Sequence, residues 1–555
     1  MSGTTPSGTI ASPGSGEPRG DSAAASSPRF AGAGTPVTMV IVAATVLALG
    51  LRLYWLSRPG FLLSVNEYDD GNYFGSAVRL VYGALPYRDF LIVQPPGITL
   101  LMIPAALLSK VTGTAWGMAA GRLLTAGAGA AAVALAGLLV RHRGLLATVI
   151  TCGIMAVYPD SIQATKTVLV EPWLVLFCLL GALALFDGDH LTARTRRLVW
   201  GGVALGFGGA VEPWAIFPVL VLAVLALRWP RRLAAYAGGV AAGFLVPVIP
   251  FAALAPHSFY EATIVAQIGN RPGAVRYPLW LRLQDMTGLA DVSRPTHLVD
   301  LAAAFLIVAV IFGSLGLAFL LTWRLPPALD LFAVGTMVLV VAAFLWSSQF
   351  HYHFAAFLAP FLAMAIALPV SALARDLRLL SGRDAPDPSG PSGPSALQWG
   401  AAALAGLAIL ILAVIQFGWE TNNYPHLRTS VVTSAERLIP PGSCLLADEV
   451  SFAVMTNRLV SDVPGCSLLL DGTGTNFALS HGRDPETGAA LSPRVDAVWT
   501  YAFEHAQYVW LSRLNNHRVA WTSQLRSYFQ AHFTRILSAG AAGSLYRRTD
   551  LKPAS

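Results

Sequence analysis

Apolar runs of about 15 to 25 residues recur along the chain, separated by short polar or basic turns. A helix of about 20 residues crosses roughly 30 Å of bilayer hydrocarbon, so each such run reads as a membrane span. Spans are expected at about 37–57, 120–140, 145–163, 172–187, 199–211, 213–228, 233–254, 299–322, 329–347, 354–373 and 398–418. Composition agrees: 55% of the 555 residues are hydrophobic and 12% charged, against roughly 25% charged in soluble domains.

Two stretches need a decision. Glu212 and Pro213 interrupt the apolar run 199–228. One tilted helix would put Arg194-Thr195-Arg196-Arg197 and the cluster Arg228 to Arg232 on opposite sides of the membrane. A hairpin of two short spans puts both inside, as the positive-inside rule prefers. The run 98–112 is short and contains Pro104. Read as an interfacial helix on the outer surface, it leaves Arg141-His142-Arg143 inside, together with Arg324, Arg375, Arg378 and Arg383.

The pattern therefore predicts an α-helical polytopic protein of the plasma membrane with about 11 transmembrane helices, the N-terminus cytoplasmic and the C-terminus outside. Residues 1–36, rich in Ser, Gly, Ala, Thr and Pro, bury too little apolar surface to offset ordering entropy and are expected to be a disordered cytoplasmic tail. The first span would serve as an uncleaved signal anchor. The membrane domain covers 37–418, with outer loops at 58–119 and 255–298 and a flexible cytoplasmic linker at 381–396. Residues 419–555 mix short β-like runs, Ser443 to Ala447 and Tyr508 to Leu511, with helical stretches at 499–507 and 519–533, which suggests a small extracytoplasmic α/β domain.

Net charge is +7, but the basic residues sit between apolar runs, a topology signal rather than a nucleic-acid footprint. Of four cysteines, Cys152 and Cys178 lie in apolar spans and read as packing residues. Cys444 and Cys466 lie in the C-terminal segment and can pair if it is extracytoplasmic.

Chemistry concentrates in the first outer loop, Asn66-Glu67-Tyr68-Asp69-Asp70-Gly71-Asn72-Tyr73-Phe74. Crowded carboxylates against a low-dielectric surface raise at least one pKa, which suits a general base. A solvated acid cluster at a helix start is the plain alternative. The loop continues with Tyr87-Arg88-Asp89-Phe90 and Gln94-Pro95-Pro96-Gly97.

This succession of an acidic pair, a tyrosine, an amphipathic stretch, a YxDF-like element and a PPG turn resembles the integral-membrane glycosyltransferases of the GT-C fold. That family includes protein O-mannosyltransferases, the lipid A aminoarabinose transferase, and actinobacterial arabinosyl- and mannosyltransferases. The resemblance covers roughly residues 37–375; the C-terminal segment matches in position and size alone. It implies that Asp69, with Asp70 beside it, deprotonates an acceptor hydroxyl. The sugar arrives on a polyprenyl phosphate, and its transfer inverts the anomeric centre. Arg and Lys near the outer surface would hold the leaving phosphate.

Several residues are candidates for holding donor or substrate. Tyr73, Arg88 and Gln94 belong to the first-loop motif. Lys166 and Glu171 lie between the third and fourth spans, where the family carries a base and an acid; Glu171 is equally a helix-start acid favoured by the macrodipole. His351 and His353, in Gln349-Phe350-His351-Tyr352-His353-Phe354, resemble a family element near the lipid phosphate, or form an interfacial aromatic belt. Arg271, Arg276, Arg282 and Arg294 of the second outer loop can cradle phosphate or touch anionic lipid. Arg52 and Arg122 either snorkel or face the cavity beside Asp69. Glu212 departs from the family, which often has Lys there.

The expected activity is transfer of a sugar of arabinose or mannose type to a cell-envelope glycan, lipid or protein acceptor. Membrane lipids are further partners, and nucleic acid is not one. No metal-ligand set beyond the acids is evident, so metal independence is expected, with a divalent cation as the alternative. The rival functions are a lipid-linked sugar flippase and a non-catalytic glycan-binding relative. Acids clustered at one face and the lack of an internal repeat argue against a transporter.

Overall fold

The computed structural model describes residue 3 and residues 35–268, 277–289, 297–380, 396–422, 429–512 and 518–550. The expected tail 1–36, the linker 381–396, and Arg271, Arg276 and Arg294 fall wholly or mainly outside the described residues.

The chain is a multi-pass α-helical membrane protein with a small α/β unit at its C-terminus. It opens with α1 (Thr35–Leu56), followed by the polar-started α2 (Tyr68–Val81). The 98–112 run forms two helices, α3 (Gly97–Leu101) and α4 (Ile103–Thr112), broken at Met102 just before Pro104. Proline lacks the N–H that would continue α3. Next come α5 (Thr114–Val140), α6 (Leu145–Val157), α7 (Pro159–Ala164) and α8 (Glu171–Leu185). A two-residue-stranded hairpin, β1 (Phe186–Asp187) and β2 (His190–Leu191), turns at Gly188, whose φ of 61° favours glycine.

The Glu212 break is real. α9 (Thr195–Val211) ends there, a 3-10 turn over Pro213–Ala215 follows, and α10 (Ile216–Ala226) comes next. α11 (Pro230–Leu254) packs against α9 through facing glycines: Gly239 and Gly243 abut the Val199 and Val203 carbonyls, leaving no room for a Cβ. The short α12 (Pro256–Tyr260), a π turn over Glu261–Val265, α13 (Ala266–Ile268) and α14 (Leu279–Thr287) precede the long α15 (His297–Thr322). α16 (Ala328–Trp346), α17 (Ala355–Leu380) and α18 (Ala396–Asn422) complete the bundle. Among the described residues, seven helices are long and apolar enough to cross a membrane, and shorter apolar helices accompany them. Cys152 and Cys178 are buried and free.

The C-terminal unit comprises α19 (Thr429–Leu438), β3 (Leu445–Ala447), α20 (Val450–Met455), α21 (Gly472–Leu479), α22 (Pro493–His505), β4 (Tyr508–Leu511), α23 (Ser523–His532), β5 (Phe533–Ser538) and β6 (Ser544–Arg548). Its sheet has the order β3-β4-β6-β5, with β3 parallel to β4 and the other pairs antiparallel. A disulfide joins Cys444 to Cys466 beside β3.

This unit does not hang from the bundle on a tether. Val450, Phe452, Leu459 and Leu470 share one apolar core with Tyr73, Phe74 and Val78 of α2. Gly71 lies so close to the Ser451 backbone that a Cβ would collide with it. At the other end of the bundle, Arg143 bonds Asp189 at 2.6 Å and pairs with Asp330, while Arg197 pairs with Asp187.

Candidate active site

The first turn of α2 sets the geometry. Successive residues on a helix point about 100° apart, so neighbouring acids cannot share one face. Asp69 points into a cavity of about 400 Å³ between the bundle and the C-terminal unit. Asp70 points the other way, fully buried. Its Oδ2 takes Arg122 Nη2 at 2.6 Å and its Oδ1 accepts from Ser451 Oγ at 2.7 Å. Arg122 also donates to the carbonyls of Leu62 and Ser64, which fixes the chain entering α2. The acidic pair therefore divides its labour: Asp69 faces the cavity and Asp70 clamps the helix.

Burial pushes the Asp69 carboxyl up to about 7; the His353 imidazole opposes this, while Glu67, Asp471 and Glu171 add to it. Of the crowded first-loop acids, Glu67 is the one whose charge adds to the shift. Glu67 is also raised, chiefly by burial. Its side chain accepts from Tyr68 N at 3.1 Å and from Tyr352 Oη at 3.3 Å.

His353 precedes α17 in a 3-10 turn and lines the same cavity. Its Nδ1 lies 2.7 Å from Glu171 Oε1 and its Nε2 4.0 Å from Asp69 Oδ2. His351 stacks parallel to it with ring centroids 5.5 Å apart. A carboxylate, an imidazole and a second carboxylate thus stand in line, the first fixing the ring and the last facing open space.

The loop motifs act on backbone shape. Tyr87 adopts a left-handed φ of 67° inside a tight turn closed by Tyr87 N to Phe90 O at 2.7 Å and Leu85 N to Asp89 Oδ2 at 2.7 Å. Its hydroxyl donates to Gln94 O at 2.6 Å, bringing Gln94 to the cavity wall. Gly97 abuts the Ala210 carbonyl with no space for a side chain, which seats α3 beside Glu212.

The cavity brings together Asp69, Tyr73, Gln94, Glu171, Glu212, His351 and His353. Other candidates lie elsewhere. Arg88 is exposed and pairs with Asp89 at 2.8 Å, because the tight turn directs it outward. Arg52 is buried in α1, donating to Ala48 O at 2.9 Å and packed against Gly129 and Thr165. Lys166 turns into the bundle, its Nζ 2.8 Å from Gln163 Oε1 and 3.5 Å from the Trp55 ring centre. Arg282 caps the end of α16 through the carbonyls of Phe344 and Ser347, at 2.7 and 2.6 Å.

No sequence motif marks the roof of the cavity. Asp471, Thr473, Gly474, Phe477 and Arg518 of the C-terminal unit line it. Tyr68 Oη donates to Asp471 Oδ1 at 3.0 Å and accepts from Thr473 N at 3.0 Å. Arg518 lies 4.4 Å above the Tyr68 ring, with Nη1 3.3 Å from Glu449 Oε2. Asp471 carries one local signal, its N-cap bond to Gly474 N at 2.7 Å, and an N-cap is no sign of a distant site. Among the described residues, no group of three or more His, Cys, Asp and Glu is placed to hold a metal ion.

No family model matches the chain, and no curated protein matches it in sequence. Among solved structures, the chain is similar to ArnT from Cupriavidus metallidurans bound to undecaprenyl phosphate, at 16% identity over 92% of this chain and 97% of that one, with a TM-score of 0.54. The apo state of the same protein superposes at 14% identity over 92% and 98%, with a TM-score of 0.55. The likeness shows the fold, which is the GT-C fold of integral-membrane glycosyltransferases.

Proposed function

We propose that this protein is a membrane glycosyltransferase that moves a pentose or hexose, of arabinose or mannose type, from a polyprenyl phosphate to a hydroxyl of a cell-envelope glycan, lipid or protein. The observation that carries the reading is Asp69, a carboxylate held near neutral pKa in a cavity with polar walls and set opposite a histidine. The solved relative that shares the fold binds undecaprenyl phosphate.

In the proposed reaction Asp69 takes the proton of the acceptor hydroxyl. The freed oxygen attacks the anomeric carbon, the bond from that carbon to the phosphate oxygen breaks, and the electron pair leaves on the polyprenyl phosphate. A single displacement of this kind inverts the centre. His353, oriented by Glu171, donates toward the leaving phosphate, and holding both substrates in line supplies much of the rate. The basic segments at 141–143, 194–197 and 228–232 sit at the turns opposite the cavity end, which supports a cytoplasmic N-terminus and an extracytoplasmic C-terminal unit. The Cys444–Cys466 disulfide fits an oxidising compartment.

The test is transfer of labelled sugar from a panel of polyprenyl-phosphate sugars to a mixed envelope-glycan acceptor, with purified protein in lipid, wild type beside Asp69→Asn. Transfer by wild type that falls about 10²- to 10⁴-fold in the variant supports the reading. No transfer from any donor, by folded protein that binds lipid phosphate, overturns it in favour of a flippase or a binding protein.

A further inference from the structure

The Asp69 carboxylate is not held by bonds of its own. Among the described residues it accepts no hydrogen bond, and its ion partner, His353 Nε2, stands 4.0 Å away. The residues on either side are held, and by the C-terminal unit. Ser451 Oγ bonds Glu67 O and lies 2.7 Å from Asp70 Oδ1. Tyr68 reaches further. Its hydroxyl donates to Asp471 Oδ1 at 3.0 Å and accepts from Thr473 N at 3.0 Å, and one bond of each kind fixes its direction. Asp471 Oδ1 also accepts from Gly474 N at 2.7 Å, and the Val93 backbone bonds the same carboxylate. Asp471 thereby caps α21, the helix whose Thr473, Gly474 and Phe477 roof the cavity. One phenol joins the first turn of α2 to that roof.

Docking of the C-terminal unit does not need this hydroxyl. The unit is seated by the apolar core that Val450, Phe452, Leu459 and Leu470 share with Tyr73, Phe74 and Val78, and by the close approach at Gly71. The Tyr68 ring packs as well, with Arg518 4.4 Å above it. What the hydroxyl adds is direction. A base works only when held in line with the proton it takes, and a displacement of about 1 Å costs up to about 10²-fold in rate. A loosened roof also lets water reach the carboxylate, which lowers its pKa toward the ordinary range.

We propose that Tyr68 is a positioning residue: its hydroxyl, closed on Asp471 and Thr473 N, fixes the roof over Asp69 and holds that carboxylate in line for proton transfer. This rests on the reading of Asp69 as the base. The charged groups facing Asp69 are Glu67 from its own turn, Glu171 at the start of α8, Glu212 at the end of α9, His353 before α17 and Asp471 of the roof. Tyr68→Phe alters none of them and keeps the ring. A change in the titration of Asp69 in that variant therefore reads geometry and water access.

The experiment pairs infrared titration with kinetics, on the full chain in lipid nanodiscs. The Asp69 carboxyl band is identified by its loss in Asp69→Asn. In Tyr68→Phe its midpoint is expected to fall from the wild-type value of about 7 toward the ordinary carboxylate range. Transfer should lose about tenfold to a hundredfold in kcat, while KM for the donor stays near wild type and limited proteolysis releases the C-terminal unit no faster. Adding Tyr68→Phe to Asp471→Ala should cost little more than Asp471→Ala alone, because the two groups act as one contact. An unchanged midpoint or an unchanged kcat in Tyr68→Phe overturns the proposal, and so does a full second loss in the double variant. Faster release of the unit overturns it too, since the hydroxyl would then be a docking contact. If wild type transfers nothing, the transferase reading fails, and the infrared midpoint alone decides whether Tyr68 holds Asp69.

Discussion

Asp70 and Arg122 meet at 2.6 Å with neither side chain exposed to solvent. Arg122 ties that contact to the carbonyls leading into α2, and Ser451 ties it to the C-terminal unit. The residue next to the proposed base is thus the peg on which three parts of the protein hang.

Replacing Asp70 by Asn leaves a buried guanidinium uncompensated, which costs about 3–5 kcal/mol. Thermal unfolding in detergent should show Asp70→Asn clearly destabilised, while Asp69→Asn unfolds close to wild type because Asp69 faces the cavity. Equal stability of the two variants would contradict the division of labour between them.

A base must be unprotonated to accept the acceptor proton. With its carboxyl pushed up to about 7, Asp69 should make transfer fall as pH drops through that value and level off above it. The pH profile of kcat/KM reads the group in the free enzyme. A flat profile across neutral pH would argue that another group takes the proton.

Glu67 raises the Asp69 carboxyl by its negative charge. Glu67→Gln removes that charge, so the acid limb of the profile should move to lower pH, by up to about one unit. A role limited to the hydrogen bond with Tyr352 would change the rate and leave the midpoint where it was.

Gly71→Ala drives a Cβ into the Ser451 backbone, where nothing flexible can give way. The expected cost is about 1–3 kcal/mol, felt where the C-terminal unit docks. Limited proteolysis should release that unit faster, and transfer should fall with it, because the roof residues Asp471 and Arg518 belong to it. Unchanged proteolysis would mean that the docking tolerates the extra methyl.

Repeating apolar runs determined the multi-pass helical architecture, because hydrocarbon thickness sets run length whatever the neighbours do. The break at Glu212 was legible for the same kind of local reason: charge and proline interrupt an apolar run. The first-loop acids were legible as a cluster, of which Glu67 and Asp69 line the cavity, and the strands at Leu445–Ala447 and Tyr508–Leu511 followed from their composition.

Only the tertiary structure decided which acid faces the cavity. The 100° step between helix neighbours separates Asp69 from Asp70, and Arg122, 52 residues on, claims one of them. The basic candidates were sorted by packing: Lys166 lies against Trp55, Arg282 caps α16, and Arg88 is held outward by its turn. The roof could not be read locally at all. Tyr68 and Asp471 are 403 residues apart, and no periodicity or spacing encodes a contact made only when the C-terminal unit packs against α2.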